Sequence, residues 1–105
     1  MCIRDRNGVT IIGEETHAGP TPMENRKDAL RGASDLLPQI YRIATDSGFD
    51  ARITLGEFRI HPGSRNTVPS RVEFSIDMRH PNLHEFDRLD QNINCLLYTS
   101  DAADE

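Results

Sequence analysis

Three residues in this sequence combine a reactive side chain with a constrained setting: His17, Asn66 and Arg79. His17 lies in the stretch Gly13-Glu14-Glu15-Thr16-His17-Ala18-Gly19-Pro20-Thr21-Pro22-Met23, between a β-branched run and a Gly-Pro-Thr-Pro turn. A strand that ends, turns sharply and feeds a helix holds its last side chain at the mouth of the turn. An imidazole N–H aimed there can meet charge developing on an oxygen, an effect of about 3–4 kcal/mol in the transition state. The competing reading is a strand-end histidine paired with Glu14 or Glu15. Asn66 follows Pro62-Gly63-Ser64 and precedes Pro69, in a segment expected to be extended; its amide either faces a ligand or closes its own turn. Arg79 ends an alternating strand on the polar side, where a planar guanidinium fork matches a carboxylate. Pairing with Asp77 or Glu73 is the alternative for it.

Other chemistries find no support. There is no H-E-x-x-H, no phosphate-binding G-x-x-x-x-G-K-[ST] and no G-x-G-x-x-G. His80 and His84 have the i, i+4 spacing of a helical metal pair, but Pro81 turns His80 away from helical geometry. No metal site is expected within this chain. No serine or cysteine occupies a nucleophile setting.

The elements that must position the three residues can be read from periodicity. The run 9–13 is a strand leading to His17. Thr21-Pro22-Met23-Glu24 has the form of a capping box with proline at the first helical position, and Asn25 with Asp28 is a competing start. Ala29, Leu30, Ala33, Leu37, Ile40, Tyr41 and Ala44 then form one face of an amphipathic helix ending near Thr45. Pro38 removes a ladder bond and is expected to kink it near Ser34. Gly48 is free to close it with positive φ. Residues 51–61 read as a strand whose apolar phase shifts between Leu55 and Phe58, so a bulge is expected at Gly56-Glu57. Residues 71–79 alternate cleanly, with Val72, Phe74, Ile76 and Met78 on one face, as in a half-wet antiparallel sheet. A second helix begins near Asn82, with Leu83, Phe86, Leu89 and Ile93 apolar. The fold class is α+β, an antiparallel sheet with helices on one face in the order β-α-β-β-α. This is a split β-α-β arrangement whose last strand is expected to be cut off.

The ends enter this reading differently. Met1 to Arg6 back-translates as ATG TGT ATA AGA GAC AG, and Cys95 to Ser100 as TGT CTC TTA TAC ACA TCT. These strings are reverse complements over almost their whole length and look like a translated sequencing adapter. Residues 1–6 and 95–105 are therefore read as adapter-like and 7–94 as one small domain. Both cysteines fall in the flanks, so cysteine count is silent on redox compartment. Removing Arg4 and Arg6 from 12 basic residues, and Asp5, Asp101, Asp104 and Glu105 from 17 acidic ones, moves the net charge from -5 to -3. A mildly acidic surface argues against nucleic acid or an anionic membrane as partner. No apolar run approaches the ~20 residues of a membrane helix, and a cytoplasmic location is expected.

Four blocks then carry a resemblance: His17-Ala18-Gly19-Pro20-Thr21-Pro22-Met23, Arg26-Lys27-Asp28-Ala29-Leu30, Pro62-Gly63-Ser64-Arg65-Asn66-Thr67-Val68-Pro69 and Asp77-Met78-Arg79-His80-Pro81. Together they resemble the hydantoinase/carbamoylase branch of the M20 metallopeptidase-like amidohydrolases, over nearly all of residues 7–94. That branch includes N-carbamoyl-L-amino acid hydrolases, β-ureidopropionase-type enzymes and allantoate amidohydrolases. The resemblance implies the lid domain alone, which also forms the homodimer. It implies two divalent metal ions, zinc or manganese, bound outside this stretch, and a small anionic substrate. It also implies roles: His17 polarises the scissile carbonyl in the partner subunit's site, Asn66 binds substrate and Arg79 holds its carboxylate. One rigid scaffold is expected to point all three at one molecule. The alternatives are the lid of an aminoacylase or dipeptidase of the wider family, or a non-catalytic binding or dimerisation module. RNA binding would want aromatics on an open, basic sheet face, and the strand 71–79 puts its aromatic on the apolar side.

Overall fold

The computed structural model describes residues 2–4 and 8–103. Strand β1 (Cys2–Arg4) and β2 (Gly8–Ile12) precede a single 3-10 turn (Met23–Asn25) and helix α1 (Ala29–Asp46). Then come β3 (Arg52–Thr54), β4 (Phe58–His61), β5 (Arg71–Ser75), β6 (Asp77–Arg79) and helix α2 (Leu83–Ala103). An antiparallel sheet runs β1-β2-β5-β4, and β3 pairs with β6. The expected α+β architecture is what forms. The place beside β2 is taken by β1, from the segment read as adapter-like.

Period-two alternation explains why the sheet has one dry face. Val9 and Ile11 of β2 stand opposite Phe74 and Val72 of β5, and all four are buried. Helix α1 covers them with Ala29, Ala33, Leu36 and Ile40, and α2 adds Leu89, Ile93 and Leu97. Each large side chain buried this way contributes about 1.5–3 kcal/mol. Two details of the periodic reading are corrected. Leu36 joins the expected Ala29, Ala33 and Ile40 on the buried face, while Tyr41, counted on that face, is 50% exposed. Leu83, assigned to the buried side of α2, is 76% exposed.

The start of α1 is also corrected. Neither Thr21 nor Asn25 caps it; Asp28 does, its carboxylate accepting from the N–H groups of Leu30 (2.9 Å) and Arg31 (3.3 Å). Long-range bonds hold the preceding residues extended: Glu14 N–H donates to the Lys27 carbonyl (2.8 Å) and Ala29 N–H to that of Pro69 (3.1 Å). Tertiary pairing therefore overrides the local capping signal. The close approach requires glycine at position 13, where a Cβ would fall 2.0 Å from the Lys27 oxygen. At the other end Gly48 takes φ 102°, as the turn chemistry requires.

The strands 52–61 and 71–79 form one long hairpin with a register change. Thr54 faces Asp77, and Phe58 faces Phe74. Four residues are thus spent on the first arm against three on the second, which is the extra residue of a bulge. Glu57 still pairs with Ser75, through Ser75 N–H to the Glu57 carbonyl (3.0 Å) and Glu57 N–H to Ser75 Oγ (2.9 Å). The bulge accordingly sits at Leu55-Gly56 opposite Ile76, adjoining the expected position, and it divides the ladder into two sheets.

Candidate functional site

Past Ile12 the β2–β5 ladder continues in irregular form and carries His17 to Asn66. Gly13 N–H donates to the Ser70 carbonyl, Val68 N–H to that of Thr16, and Ala18 N–H to that of Asn66, each at 2.8 Å. His17 and Thr67 form an isolated antiparallel bridge over the buried Val68. Two segments 49 residues apart in sequence (17 and 66) thereby become one edge.

On that edge the imidazole is exposed, and neither Glu14 nor Glu15 takes it; Glu15 accepts instead from Ser70 Oγ (3.2 Å). The His17 Nδ1 accepts a hydrogen bond from Gly19 N–H at 3.0 Å. A neutral ring that accepts at Nδ1 carries its proton on Nε2, so what it offers outward is a donor. Asn66 lies in a turn rather than in the extended segment expected. Its main-chain N–H donates to Ser64 Oγ (3.3 Å), and its side-chain amide makes no hydrogen bond among the described residues. Periodicity gave no role to Arg26, whose guanidinium reaches the carbonyls of Ala18 and Thr21 in this same loop. The only trace of it in the sequence is its place in the block Arg26-Lys27-Asp28.

Arg79 is elsewhere. It closes β6, fully exposed, with Nε donating to Asp77 Oδ1 (3.3 Å) and Oδ2 (3.2 Å) and Nη2 to Oδ2 (3.1 Å). The hydrogen bond and the charge of Asp77 raise its pKa further above the ordinary arginine value. This is the local pairing named as the alternative, yet it uses only one edge of the fork. Of five donors, those on the Nη1 side remain for a second carboxylate. The strand from Arg71 to Arg79 runs away from Asn66, and eight residues at about 3.3 Å each make roughly 26 Å. The expectation that one protomer points all three groups at one molecule is therefore corrected: His17 and Asn66 share one end, and Arg79 occupies the other.

Among the described residues no group of three or more His, Cys, Asp and Glu side chains could hold an ion. His80 Nδ1 accepts from Asn82 N–H (3.0 Å), while Asn82 caps α2 through Glu85 N–H (3.0 Å). A depression of about 300 Å³ on the open sheet face is lined by Thr10, Arg59, Arg71, Glu73 and Ser75. Its charges satisfy one another, Arg71 Nε donating to Glu73 Oε1 at 2.6 Å and Arg59 Nη2 lying 3.9 Å from Glu57 Oε2. Among the described residues no helix is long and apolar enough to cross a membrane.

Comparison with known proteins decides the family. The model of the M20 peptidase dimerisation domain matches residues 7–105. The chain belongs to the M20 peptidase dimerisation domain family. It is similar to an allantoate amidohydrolase of Bacillus subtilis, 35% identical over 89 residues, 85% of this chain and 22% of that protein. It is also similar to an N-carbamoyl-L-amino acid amidohydrolase of Geobacillus stearothermophilus, 39% identical over 70 residues, 67% of this chain and 17% of that one. The crystal structure of a hydantoinase/carbamoylase family amidase from Burkholderia multivorans superposes with a TM-score of 0.85 at 38% identity. That match covers 92% of this chain and 24% of the other. The dimerisation domain described above thus spans about a sixth to a quarter of each of these proteins.

Proposed function

We propose that this dimerisation domain is the lid of a homodimeric, metal-dependent amidohydrolase that cleaves N-carbamoyl-L-amino acids or related ureido acids such as allantoate and β-ureidopropionate. In this reading Arg79 holds the substrate carboxylate through its free fork edge. The Asn66 amide fixes the polar body of the substrate. His17 donates Nε2–H to the scissile carbonyl oxygen as charge appears there. The nucleophile comes from parts of the protein outside this chain, as do the residues that hold zinc or manganese, because no set of the described residues fits such ions.

The observation that carries the reading is the separation of the three groups combined with the unfinished edge of the sheet. Strand β4 is an outer strand with all four residues exposed. Phe58 and Ile60, on the face where Phe74 and Val72 are buried, remain 41% and 37% exposed, with Phe58 stacked on Phe74 at 5.9 Å. Antiparallel pairing of β4 with β4 of a second copy would cover that apolar rim and supply the missing ladder bonds. Such pairing turns one copy end for end relative to the other. His17 and Asn66 of one protomer then lie on the same rim as Arg79 of its partner, and a two-fold dimer has two such composite sites. A monomer has none.

The substrate class is tested by assaying the whole protein that carries this chain on N-carbamoyl-L-amino acids, allantoate and N-acetyl-L-amino acids. Turnover of a carbamoyl or ureido acid with little on the acetyl series supports the reading. The reverse order of preference assigns the domain to an aminoacylase.

A further inference from the structure

The loop that presents His17 is fastened by contacts the reaction does not itself require. Arg26, half-buried beside the 3-10 turn, donates from Nη2 to the Ala18 carbonyl at 2.7 Å and from Nε to the Thr21 carbonyl at 3.1 Å. These two carbonyls bracket Gly19 and Pro20. Gly19 in turn donates its N–H to His17 Nδ1 at 3.0 Å. It sits so close to the ring that a Cβ would lie 3.2 Å from Cε1 and 3.3 Å from Nδ1.

From these contacts we infer that Arg26 and Gly19 are positioning residues for His17: Arg26 clamps the 18–21 loop so that Gly19 N–H stays on Nδ1, holding the imidazole as an Nε2–H donor in one orientation. The inference rests on the donor role proposed for His17. Water competes for both partners of an exposed backbone-to-imidazole bond, so that bond alone is too weak to hold a ring on a free loop. A rigid guanidinium fork on two carbonyls removes that freedom with a single side chain. Lysine keeps the charge at position 26 but reaches one carbonyl at a time. Alanine at position 19 keeps the N–H and pushes on the ring.

The test is made in the whole protein, labelled with ¹⁵N at histidine and glycine, with His17 assigned from the signal lost in His17→Gln. The wild-type protein is expected to show a protonated Nε2 and a scalar coupling between Gly19 N and His17 Nδ1 across the hydrogen bond. In Arg26→Ala the coupling disappears and kcat falls by about 10²-fold with KM unchanged, as for a misplacement near 1 Å. Added methylguanidinium restores part of that kcat, which a general loss of stability would not permit. Arg26→Lys gives an intermediate kcat, and Gly19→Ala lowers kcat without lowering Tm; these two serve if Arg26→Ala does not fold. A protonated Nδ1 in the wild-type protein, or an Arg26→Ala enzyme with normal kcat, overturns the inference. His17→Gln separates this from the underlying reading. Normal kcat there sinks the role of the histidine and this inference with it. A large loss there beside an unaffected Arg26→Ala sinks this inference alone.

Discussion

The two ends of the long hairpin are built on different principles. At the His17 end the side chains sit on irregular backbone, and long-range bonds hold it: Ala18 to Asn66, Val68 to Thr16, Gly13 to Ser70 and Glu14 to Lys27. At the Arg79 end the backbone is regular strand, paired among the described residues with Arg52 to Thr54, and an exposed ion pair with Asp77 orients the guanidinium. In the proposed reading the first end carries an oxyanion donor, which must be aimed closely, and the long-range bonds give it that rigidity. In the same reading the second end carries a carboxylate clamp, for which charge and a planar fork on a long side chain suffice.

That contrast makes a graded set of expectations. His17→Ala in the whole protein should lower kcat by about 10²–10³-fold with little change in KM, because a transition-state donor is lost. A rise in KM at constant kcat would make the two ends equivalent and break the comparison. Arg79→Ala should raise KM by about 10–100-fold with kcat less affected, as expected for about 1.5–3 kcal/mol of charge-assisted bonding made in ground and transition states alike. Steady-state kinetics over a substrate range decides both. The smallest effect concerns the scaffold alone. Thr16 Oγ1 is buried without a hydrogen-bond partner beside His17, so Thr16→Val should raise stability by up to about 1 kcal/mol, read as a higher Tm by calorimetry. A lower Tm would show that the hydroxyl meets a group contributed by another part of the protein.

Local periodicity was enough for the order of elements, the dry face of the sheet and, to within one residue, the bulge expected at Gly56-Glu57 and found at Leu55-Gly56, because alternation and a phase slip are written into neighbouring residues. Asp28 was not legible as the helix cap. The bonds that hold residues 26–28 extended before the helix come from Glu14 and Pro69, far away in sequence. The chemistry of His17, Asn66 and Arg79 was legible as residue type and setting, and the proximity of His17 to Asn66 was implicit in two strands ending at one edge. The distance of Arg79 from both was also implicit, since residues 71–79 alternate as one extended run. What hid it was the assumption that three residues of one site must converge within one chain. Arg26 escaped notice because its partners are backbone carbonyls, which leave no mark in sequence.

The shared-site arrangement can be measured directly by mixing His17→Ala and Arg79→Ala under conditions that exchange subunits and assaying at substrate far below the wild-type KM, where both variants are strongly impaired. If each site takes His17 from one protomer and Arg79 from the other, every mixed dimer has one site with both defects and one with neither. Random exchange should then restore about one quarter of wild-type activity. If both residues serve a site from the same protomer, each site of the mixed dimer keeps one defect, and activity stays at the level of the unmixed variants; that result would contradict the account.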